Sequence, residues 1–113
     1  MEVHSCIFCK IIARQIPSDI IAETDDIIVI KDIQPKTSIH YLIIPKKHIP
    51  DIQSLKADDV SIAGNIIMMS QKLSSQLPNS QAFRLVSNNG SDAGQIIFHI
   101  HFHLLAGKKM THF

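Results

Sequence analysis

Three histidines alternate with apolar residues near the end of the chain, in the segment 98–104. Because side chains alternate across a β-strand, a strand here would place His99, His101 and His103 on one face. The apolar residues that would occupy the other face are Phe98, Ile100, Phe102 and Leu104. The pattern predicts a strand over 97–105 that is anchored by its apolar side and presents imidazoles on the other.

A row of imidazoles can be interpreted in three ways. It can be the solvated face of an edge strand, although Thr, Lys or Ser would serve there equally well. It can bind one metal ion, but the first and third Cα atoms would lie about 13 Å apart, so one ion would reach two neighbours at most. It can handle a phosphate, because neutral imidazole is a competent nucleophile at phosphorus. We favour the third interpretation.

A polar loop with two glycines precedes the histidines. It runs over 88–95 and contains Gly90 and Gly94. Glycine adopts positive φ without steric cost, so the backbone N–H groups of this loop can turn toward an anion. Asn88 and Gln95 add neutral donors. Taken alone this is an ordinary loop, but beside the histidines it supports a phosphate site.

Two cysteines lie near the start of the chain, in the run Cys6-Ile7-Phe8-Cys9. In a chain without a secretion signal, this spacing favours a metal site or redox chemistry over a structural disulfide. A thioredoxin-like redox role is disfavoured, because no βαβ pattern surrounds the pair.

The hydrophobic pattern predicts the elements that must position these residues. A short amphipathic helix is expected over 6–15, and a longer helix over 58–77. In addition to the histidine strand, β-rich stretches predict strands over 20–22, 27–31, 39–44 and 82–87. The order predicts an α+β fold, one domain spanning 1–113, with an antiparallel sheet of about five strands.

Composition argues against several classes of protein. The 113 residues include 11 basic and 10 acidic side chains, for a net charge of +1, and only Arg14 and Arg84 are arginines. An electrostatic footprint for nucleic acid is therefore missing. No apolar run is long enough to span a membrane, and the first residues lack the regions of a signal peptide. We expect a cytoplasmic protein that binds neither nucleic acid nor membrane.

These motifs together resemble the histidine-triad (HIT) superfamily of nucleotide hydrolases and transferases. The segment 99–105, His99-Ile100-His101-Phe102-His103-Leu104-Leu105, is similar to the family signature. Other similar segments follow the family's order along the chain: 6–12, 16–17, 32–33, His40, 44–49 and 88–95. The short length and the ending over 107–110 resemble the histidine-triad nucleotide-binding (Hint) branch. The resemblance implies a five-stranded antiparallel sheet with two helices, and a homodimer with a continuous ten-stranded sheet.

The resemblance implies a role for four histidines. His101 would attack the α-phosphorus of a nucleoside monophosphate derivative and form a nucleotidyl-histidine intermediate. The backbone carbonyl of His99 would hold the other ring nitrogen of His101 and determine its tautomer. His103 would bind a phosphate oxygen, and His40 would lie near the leaving group or shuttle a proton. The other groups implied at the phosphate are Asn88, Gly94 and Gln95.

A nucleoside pocket is also implied. Asp32 would accept hydrogen bonds from the ribose hydroxyls, although an Asp after a strand is commonly a turn residue. The apolar slot for a purine base would consist of Ile7, Phe8, Ile11, Ile30 and Ile33. From spacing alone, packing in the core explains these five residues at least as well.

Zinc is an open question at this stage. Some bacterial relatives bind zinc through a similar cysteine pair and two histidines, and the matching residues are Cys6, Cys9, His48 and His99. Two thiolates and two imidazoles would form a closed, tetrahedral, structural site. Other members of the branch fold without metal, and catalysis would require no cofactor.

We expect an enzyme that releases AMP or GMP from purine nucleoside phosphoramidates or aminoacyl adenylates. The alternatives are a dinucleoside polyphosphate hydrolase and a nucleotide-binding or interaction module with vestigial catalysis. Ile96 favours the last alternative, because many Hint proteins carry a polar residue there that assists the leaving group. The tail over 110–113 would approach the partner's active site in a homodimer.

Overall fold

One antiparallel sheet carries the histidine segment and separates two helices. In the computed structural model, which describes residues 5–111, the elements are α1 (Ile7–Ile12), β1 (Ile20–Glu23), β2 (Ile27–Lys31), β3 (Ile39–Pro45), α2 (Val60–Gln76), β4 (Phe83–Val86) and β5 (Phe102–Ala106). The strand order is β1-β2-β3-β5-β4, and all pairs are antiparallel. This architecture confirms the predicted five-stranded sheet with two helices. The predicted span of 1–113 and the tail over 110–113 lie partly outside the described residues.

Each face of the sheet has its own apolar core. Ile27, Val29 and Ile43 pack with buried residues of α2 on one face. On the other face, the residues that alternate with them, including Ile28 and Ile30, pack with Phe8 and Ile11 of α1 and with residues that flank this helix. Because both faces of β2 are covered, its sequence is a continuous run of Ile and Val rather than an alternation. No helix within 5–111 is long and apolar enough to cross a membrane.

The first helix is shorter than predicted. It ends at Ile12 rather than near residue 15, because Arg14 adopts φ 63° and turns the chain out of the helix. The N–H of Gln15 then donates to the carbonyl of Lys10 at 2.8 Å, which closes the helix end. The helix begins at Cys6, whose sulfur accepts the N–H of Cys9 at 3.4 Å. This cap brings the two cysteines into one turn.

The predicted histidine strand is wrong over 97–101. Strand β5 begins at Phe102, opposite Ile43 of β3, and the ladder does not continue to Pro45. Proline has no N–H to donate to a ladder, and it ends β3. The N–H of Ile100 instead donates to the carbonyl of Ile49 at 2.6 Å. The residues that contain His99 and His101 are therefore held by the segment that follows β3 rather than by the sheet.

The predicted alternation of faces nevertheless survives in this irregular segment. Ile100 and Phe102 line an apolar cavity of about 240 Å³ beside α2. The rings of His99 and His101 both contact Phe8, on the side of the sheet that α1 covers. The imidazoles and the apolar residues thus face opposite sides, as the pattern indicates.

Candidate active site and metal centre

The placement of protons prepares His101 as a nucleophile. Its Nδ1 donates to the carbonyl oxygen of His99 at 2.8 Å. Since a neutral imidazole carries one proton, Nε2 of His101 is left with a free lone pair. Burial lowers the pKa of His101, which keeps the ring neutral near pH 7. A neutral ring with an unprotonated nitrogen can attack an electrophile.

A second chain of hydrogen bonds prepares His103 as a donor. The backbone N–H of Lys36 donates to Nδ1 of His40 at 3.0 Å, so the proton of His40 must lie on Nε2. That Nε2–H donates to Nδ1 of His103 at 2.9 Å. The remaining proton of His103 therefore lies on its own Nε2, which is free to donate to a ligand.

The electrostatics of this chain keep both rings neutral. Burial lowers the pKa of His40, which is almost fully buried. Burial also lowers the pKa of His103 to about 4, and the neighbouring His101 and His40 act in the same direction. His101 and His103 are in direct contact, with ring centroids 5.2 Å apart. The pair presents one acceptor nitrogen and one donor nitrogen within a small volume.

The glycine loop adopts the conformation that its sequence indicates, but Gln95 has a different task. Gly90 and Gly94 have φ of 90° and 95°. The side-chain oxygen of buried Gln95 accepts the N–H of Gly90 at 2.8 Å. Its side-chain nitrogen donates to the carbonyls of Pro50 at 2.7 Å and Ile97 at 3.1 Å. The amide thus closes the loop through both its oxygen and its nitrogen, and its expected contact with phosphate stays a prediction.

Two other donors of the loop are available. Asn88 is half-buried, and its side chain makes no hydrogen bond to any residue within 5–111. The backbone N–H of Ile96 has no acceptor among the same residues. Both lie next to the closed loop in sequence. They could donate to an anion without breaking a hydrogen bond, whereas the amide of Gln95 would have to break one.

The residues expected at a nucleoside divide into exposed and buried sets. Asp32 accepts the N–H of Gln34 at 2.8 Å in a turn, and its other oxygen lies 3.3 Å from Nε2 of His40. Ile33 is 92% exposed and Ile7 is 41% exposed. The residues buried in the core between α1 and the sheet are Phe8, Ile11 and Ile30. Only Ile7 and Ile33 present an apolar surface to a ligand, and the turn role of Asp32 does not test its predicted contact with ribose.

The two cysteines meet the two predicted histidines in one compact cluster. Nδ1 of His99 lies 3.3 Å from Sγ of Cys6, 3.6 Å from Sγ of Cys9 and 3.1 Å from Nδ1 of His48. Sγ of Cys9 lies 3.3 Å from Nδ1 of His48. In a tetrahedral zinc site with ordinary bond lengths, nitrogen and sulfur ligands lie about 3.3–3.6 Å from one another. The spacing therefore fits a tetrahedral metal ion.

The chemistry of the donors fits a cation as well. Nε2 of His99 donates to the carbonyl of Pro45 at 2.7 Å, so its Nδ1 lone pair points to the cysteines. Burial lowers the pKa of His99 to about 4, and both cysteines are free of disulfides. Burial also raises the pKa of the Cys9 thiol to about 11. A cation would supply the positive charge that lets this sulfur ionise.

A second group of metal-ligand types does not fit a metal ion in the same way. Atoms of Asp32, His40 and His103 also lie within 4.8 Å of one another. However, His40 already accepts the N–H of Lys36 at Nδ1, so its Nε2 carries a proton instead of a lone pair. A metal ion at that nitrogen would require an imidazolate. This group is a proton chain.

Several functional residues escaped the sequence reasoning. Lys36 acts through its backbone N–H, and Pro45 and Pro50 act through carbonyls. Asn89 accepts the N–H of Ile52 at 2.7 Å and so ties the loop to the segment after β3. No side-chain pattern marks a residue that contributes a backbone group. The signal in the sequence is that two of them are prolines and the other two flank a proline or a glycine.

Known proteins are similar to this chain in both sequence and structure. The family model described as the HIT domain matches residues 13–110. An uncharacterised HIT-like protein of Synechocystis is 38% identical over 105 residues, which are 93% of this chain and 92% of the relative. A crystal structure of a HIT family hydrolase from Legionella pneumophila Philadelphia 1 has a TM-score of 0.91 at 42% identity, and the match covers 95% of this chain and 96% of that one.

A further solved structure bears on the cysteine cluster. It is a zinc-bound histidine triad family protein from Mycobacterium smegmatis, with a TM-score of 0.81 and 28% identity, and the match covers 95% of this chain and 78% of that one. In this chain the family model begins at residue 13, so it contains the histidine segment and excludes both cysteines. The cysteine pair thus lies before the matched segment in the sequence.

Proposed function

We propose that this chain, which belongs to the HIT domain family, is a nucleotide-binding hydrolase that works through a nucleotidyl-histidine intermediate at His101. The observation that carries the proposal is the order of protons at the paired histidines. Nε2 of His101 has a lone pair, and Nε2 of the adjacent His103 has a proton. One ring can attack phosphorus while the other stabilises the negative charge that builds on a phosphate oxygen.

The reaction would proceed in two displacements. Nε2 of His101 forms a bond to the α-phosphorus while the bond to the leaving group breaks, and the leaving group takes its electron pair and a proton from solvent. The ring then carries a positive charge, which the carbonyl of His99 stabilises through Nδ1–H. Water attacks the phosphorus next, the N–P bond breaks, and a nucleoside monophosphate is released. The electron pair of the N–P bond returns to Nε2, so His101 is neutral again with its proton still on Nδ1, and the attacking water loses its proton to solvent.

For the substrate we propose purine nucleoside phosphoramidates or aminoacyl adenylates, with AMP or GMP as the product. Ile7 and Ile33 offer exposed apolar surface for a base. Both are among the residues that the resemblance to the family assigns to the base pocket. Asp32 has a partly exposed carboxylate for the ribose hydroxyls. Asn88 and the N–H of Ile96 are uncommitted donors for the phosphate.

The first test is the turnover of adenosine 5′-phosphoramidate by the purified protein. Wild-type protein should release AMP, and His101→Ala should lower kcat by about a thousandfold or more, because the nucleophile is lost. Calorimetry with AMP should give similar affinities for both proteins. Tight binding of AMP without release from any substrate would contradict the hydrolase and leave a nucleotide-binding module.

A second candidate, dinucleoside polyphosphate hydrolysis, is favoured by Lys36 and Ile96. Burial is the main cause that lowers the pKa of His103, and the positive charge of exposed Lys36 acts weakly in the same direction. Such a charge suits an anionic leaving group. Ile96, 84% exposed, has no side-chain group that could donate a proton to a leaving amine. If this candidate holds, Lys36→Gln will lower kcat/KM for diadenosine tetraphosphate more than for the phosphoramidate.

We further propose that Cys6, Cys9, His48 and His99 hold a structural zinc ion. The ion would supply a fixed positive charge that ties α1 to the segments around His48 and His99. Catalysis itself would require no cofactor. Elemental analysis of the purified protein should find about one zinc per chain, and Cys9→Ser should lack it.

The expected homodimer and cytoplasmic location also remain proposals. Strand β4 is an edge of the sheet, and a second copy paired there would give ten continuous strands. Three large apolar residues of α2 are exposed: Val60, Ile67 and Met68. Light scattering with size-exclusion chromatography should give twice the mass of one chain. A monomer at micromolar concentration would contradict the dimer.

A further inference from the structure

We propose that His99 couples the cysteine–histidine cluster to the nucleophile, so that a metal ion in the cluster positions His101 for catalysis. The inference rests on the proposed function of His101. The ring of His99 belongs to the cluster, and its carbonyl oxygen holds Nδ1 of His101 at 2.8 Å. His99 is thus a positioning residue with one end in each site.

The ring of His99 is held on both sides. It is fully buried, its Nε2 donates to the carbonyl of Pro45 at 2.7 Å, and its Nδ1 meets the sulfur of Cys6 at 3.3 Å. A metal ion between Nδ1 and the cysteines would remove the remaining freedom of the ring. Ring and carbonyl belong to one residue, and the rotamers open to a side chain depend on its φ and ψ, so a fixed ring also restricts the backbone that carries the carbonyl.

The backbone at His99 lacks the support that a strand would provide. The ladder of β5 begins at Phe102, and between it and residue 97 the one backbone hydrogen bond is that from Ile100 to Ile49. In a regular strand, ladder bonds would direct the carbonyl of His99 whatever its side chain did. Here one hydrogen bond directs it, because the N–H of Ile100 and the carbonyl of His99 belong to the same planar peptide unit. The acceptor of that bond, Ile49, directly follows His48 of the cluster, so this support also depends on the cluster. The irregular segment is what makes the nucleophile depend on the cluster.

Phe8 provides a second connection between the two sites. It lies in the same helical turn as the cysteines and is 3% exposed. Its ring meets that of His99 edge-on, with centroids 5.8 Å apart, and that of His101 with centroids 5.0 Å apart. A metal ion that fixes Cys6 and Cys9 therefore also fixes a ring that packs on the nucleophile. The structure assigns Phe8 to the positioning of His101.

The coupling predicts a particular kinetic signature. The groups proposed for the phosphate, Asn88 and the Nε2–H of His103, make no contact with the cluster. Loss of the metal ion should therefore change the orientation and tautomer of His101 while the binding of nucleotide is preserved. We expect kcat to fall by about 10–100-fold, as for other outer-shell partners, with KM changed by less than about threefold.

The test compares wild-type protein with Cys9→Ser, after zinc content is measured for both. Nitrogen-15 NMR of the histidine rings reports the tautomer directly and needs no turnover. Wild-type His101 should show a single Nδ1–H tautomer, and Cys9→Ser should show a mixture. Phe8→Leu retains all four ligands, so it should keep its zinc and still lose part of the tautomer preference, with a several-fold lower kcat.

A matched control separates coupling from general destabilisation. Leu73→Ala opens a cavity in the core on the other face of the sheet, so it should lower the melting temperature without changing the His101 tautomer or kcat at a temperature where the protein is folded. If Cys9→Ser does not fold, Phe8→Leu carries the test.

Two results would overturn the proposal. One is a zinc-free Cys9→Ser protein with an unchanged tautomer and kcat, and the other is a Leu73→Ala protein that loses both as Cys9→Ser does. If wild-type protein releases no nucleotide from any substrate, the proposed function fails. The tautomer of His101 in the three variants would still decide the coupling.

Discussion

Two side-chain clusters in this molecule each contain two histidines and are suited to different chemistry. Cys6, Cys9, His48 and His99 form one, and Asp32, His40 and His103 form the other. In the first, the free nitrogen of His99 points to sulfur, as a metal ion requires. In the second, the protonated Nε2 of His40 meets the unprotonated Nδ1 of His103, as a proton chain requires.

The difference comes from one backbone group in each cluster. The carbonyl of Pro45 accepts the Nε2 proton of His99 and leaves Nδ1 as a ligand. The N–H of Lys36 donates to Nδ1 of His40 and forces the proton onto Nε2. The residue types of a histidine cluster therefore do not determine which nitrogen of each ring carries the proton. The backbone group that faces the outer nitrogen does.

The largest expected effect tests the first cluster through stability. Zinc at about a thousand times its Kd should raise the free energy of unfolding of wild-type protein by about 4 kcal/mol, because it binds only the folded chain. Cys6→Ser should lose this increment, since one of four ligands is gone. Thermal denaturation with and without zinc measures the difference. Asp32→Asn is the control, and a zinc increment lost in Asp32→Asn as well would mean that the two clusters are not distinct.

A smaller effect is expected from breaking the second cluster. His40→Phe keeps a ring of similar size but leaves the N–H of Lys36 and Nδ1 of His103 without partners. The proton on His103 is then no longer directed to Nε2, and kcat/KM should fall about 10–100-fold. Steady-state kinetics measure this, with zinc content as the control. A His40→Phe protein that loses its zinc would show that the proton chain also supports the metal site.

The smallest effect concerns the pH dependence of His103. Burial lowers its pKa to about 4, so NMR titration should give a midpoint near that value, against about 6.5 for an unfolded chain. His103 then contributes to stability above pH 6.5, and this contribution is lost as the pH falls from 6.5 to 4, where the unfolded chain binds the extra proton.

Lys36→Gln sharpens this measurement. It removes a positive charge and keeps the backbone N–H, so the midpoint of His103 should rise while its tautomer stays the same. A changed tautomer in Lys36→Gln would mean that the side chain of Lys36, rather than its backbone, orders the protons.

Much of the fold could be predicted because burial leaves a period in the sequence. The β-rich stretches of β2 and β3 located both strands to within a residue, and the apolar stripe of α2 located the long helix. The start of β5 could not be predicted in this way. The residues before Phe102 have the period of a strand, but their hydrogen-bond partner, Ile49, is about 50 residues away in the chain.

The candidate site divides in the same manner. The types and spacing of the histidines and cysteines indicated phosphate chemistry and a metal or redox site, and the resemblance to the family supplied the set of four metal ligands. The contacts of Gln95 and Phe8 could not be predicted, because each depends on a partner that is distant in the sequence. The side-chain amide of Gln95 donates to the backbone carbonyl of Pro50, and the ring of Phe8 packs against the imidazoles of His99 and His101.

The sequence by itself thus determined which groups are present, on which side of the sheet they lie and to which family the chain is similar. Only the tertiary structure decided which nitrogen of His40, His99 and His101 carries a proton. The physical reason is that a neutral imidazole has two tautomers of similar energy, and a single hydrogen bond selects between them. For His40 and His101 the partner is a backbone group that is near in the sequence. For His99 it is the carbonyl of Pro45 at the end of β3.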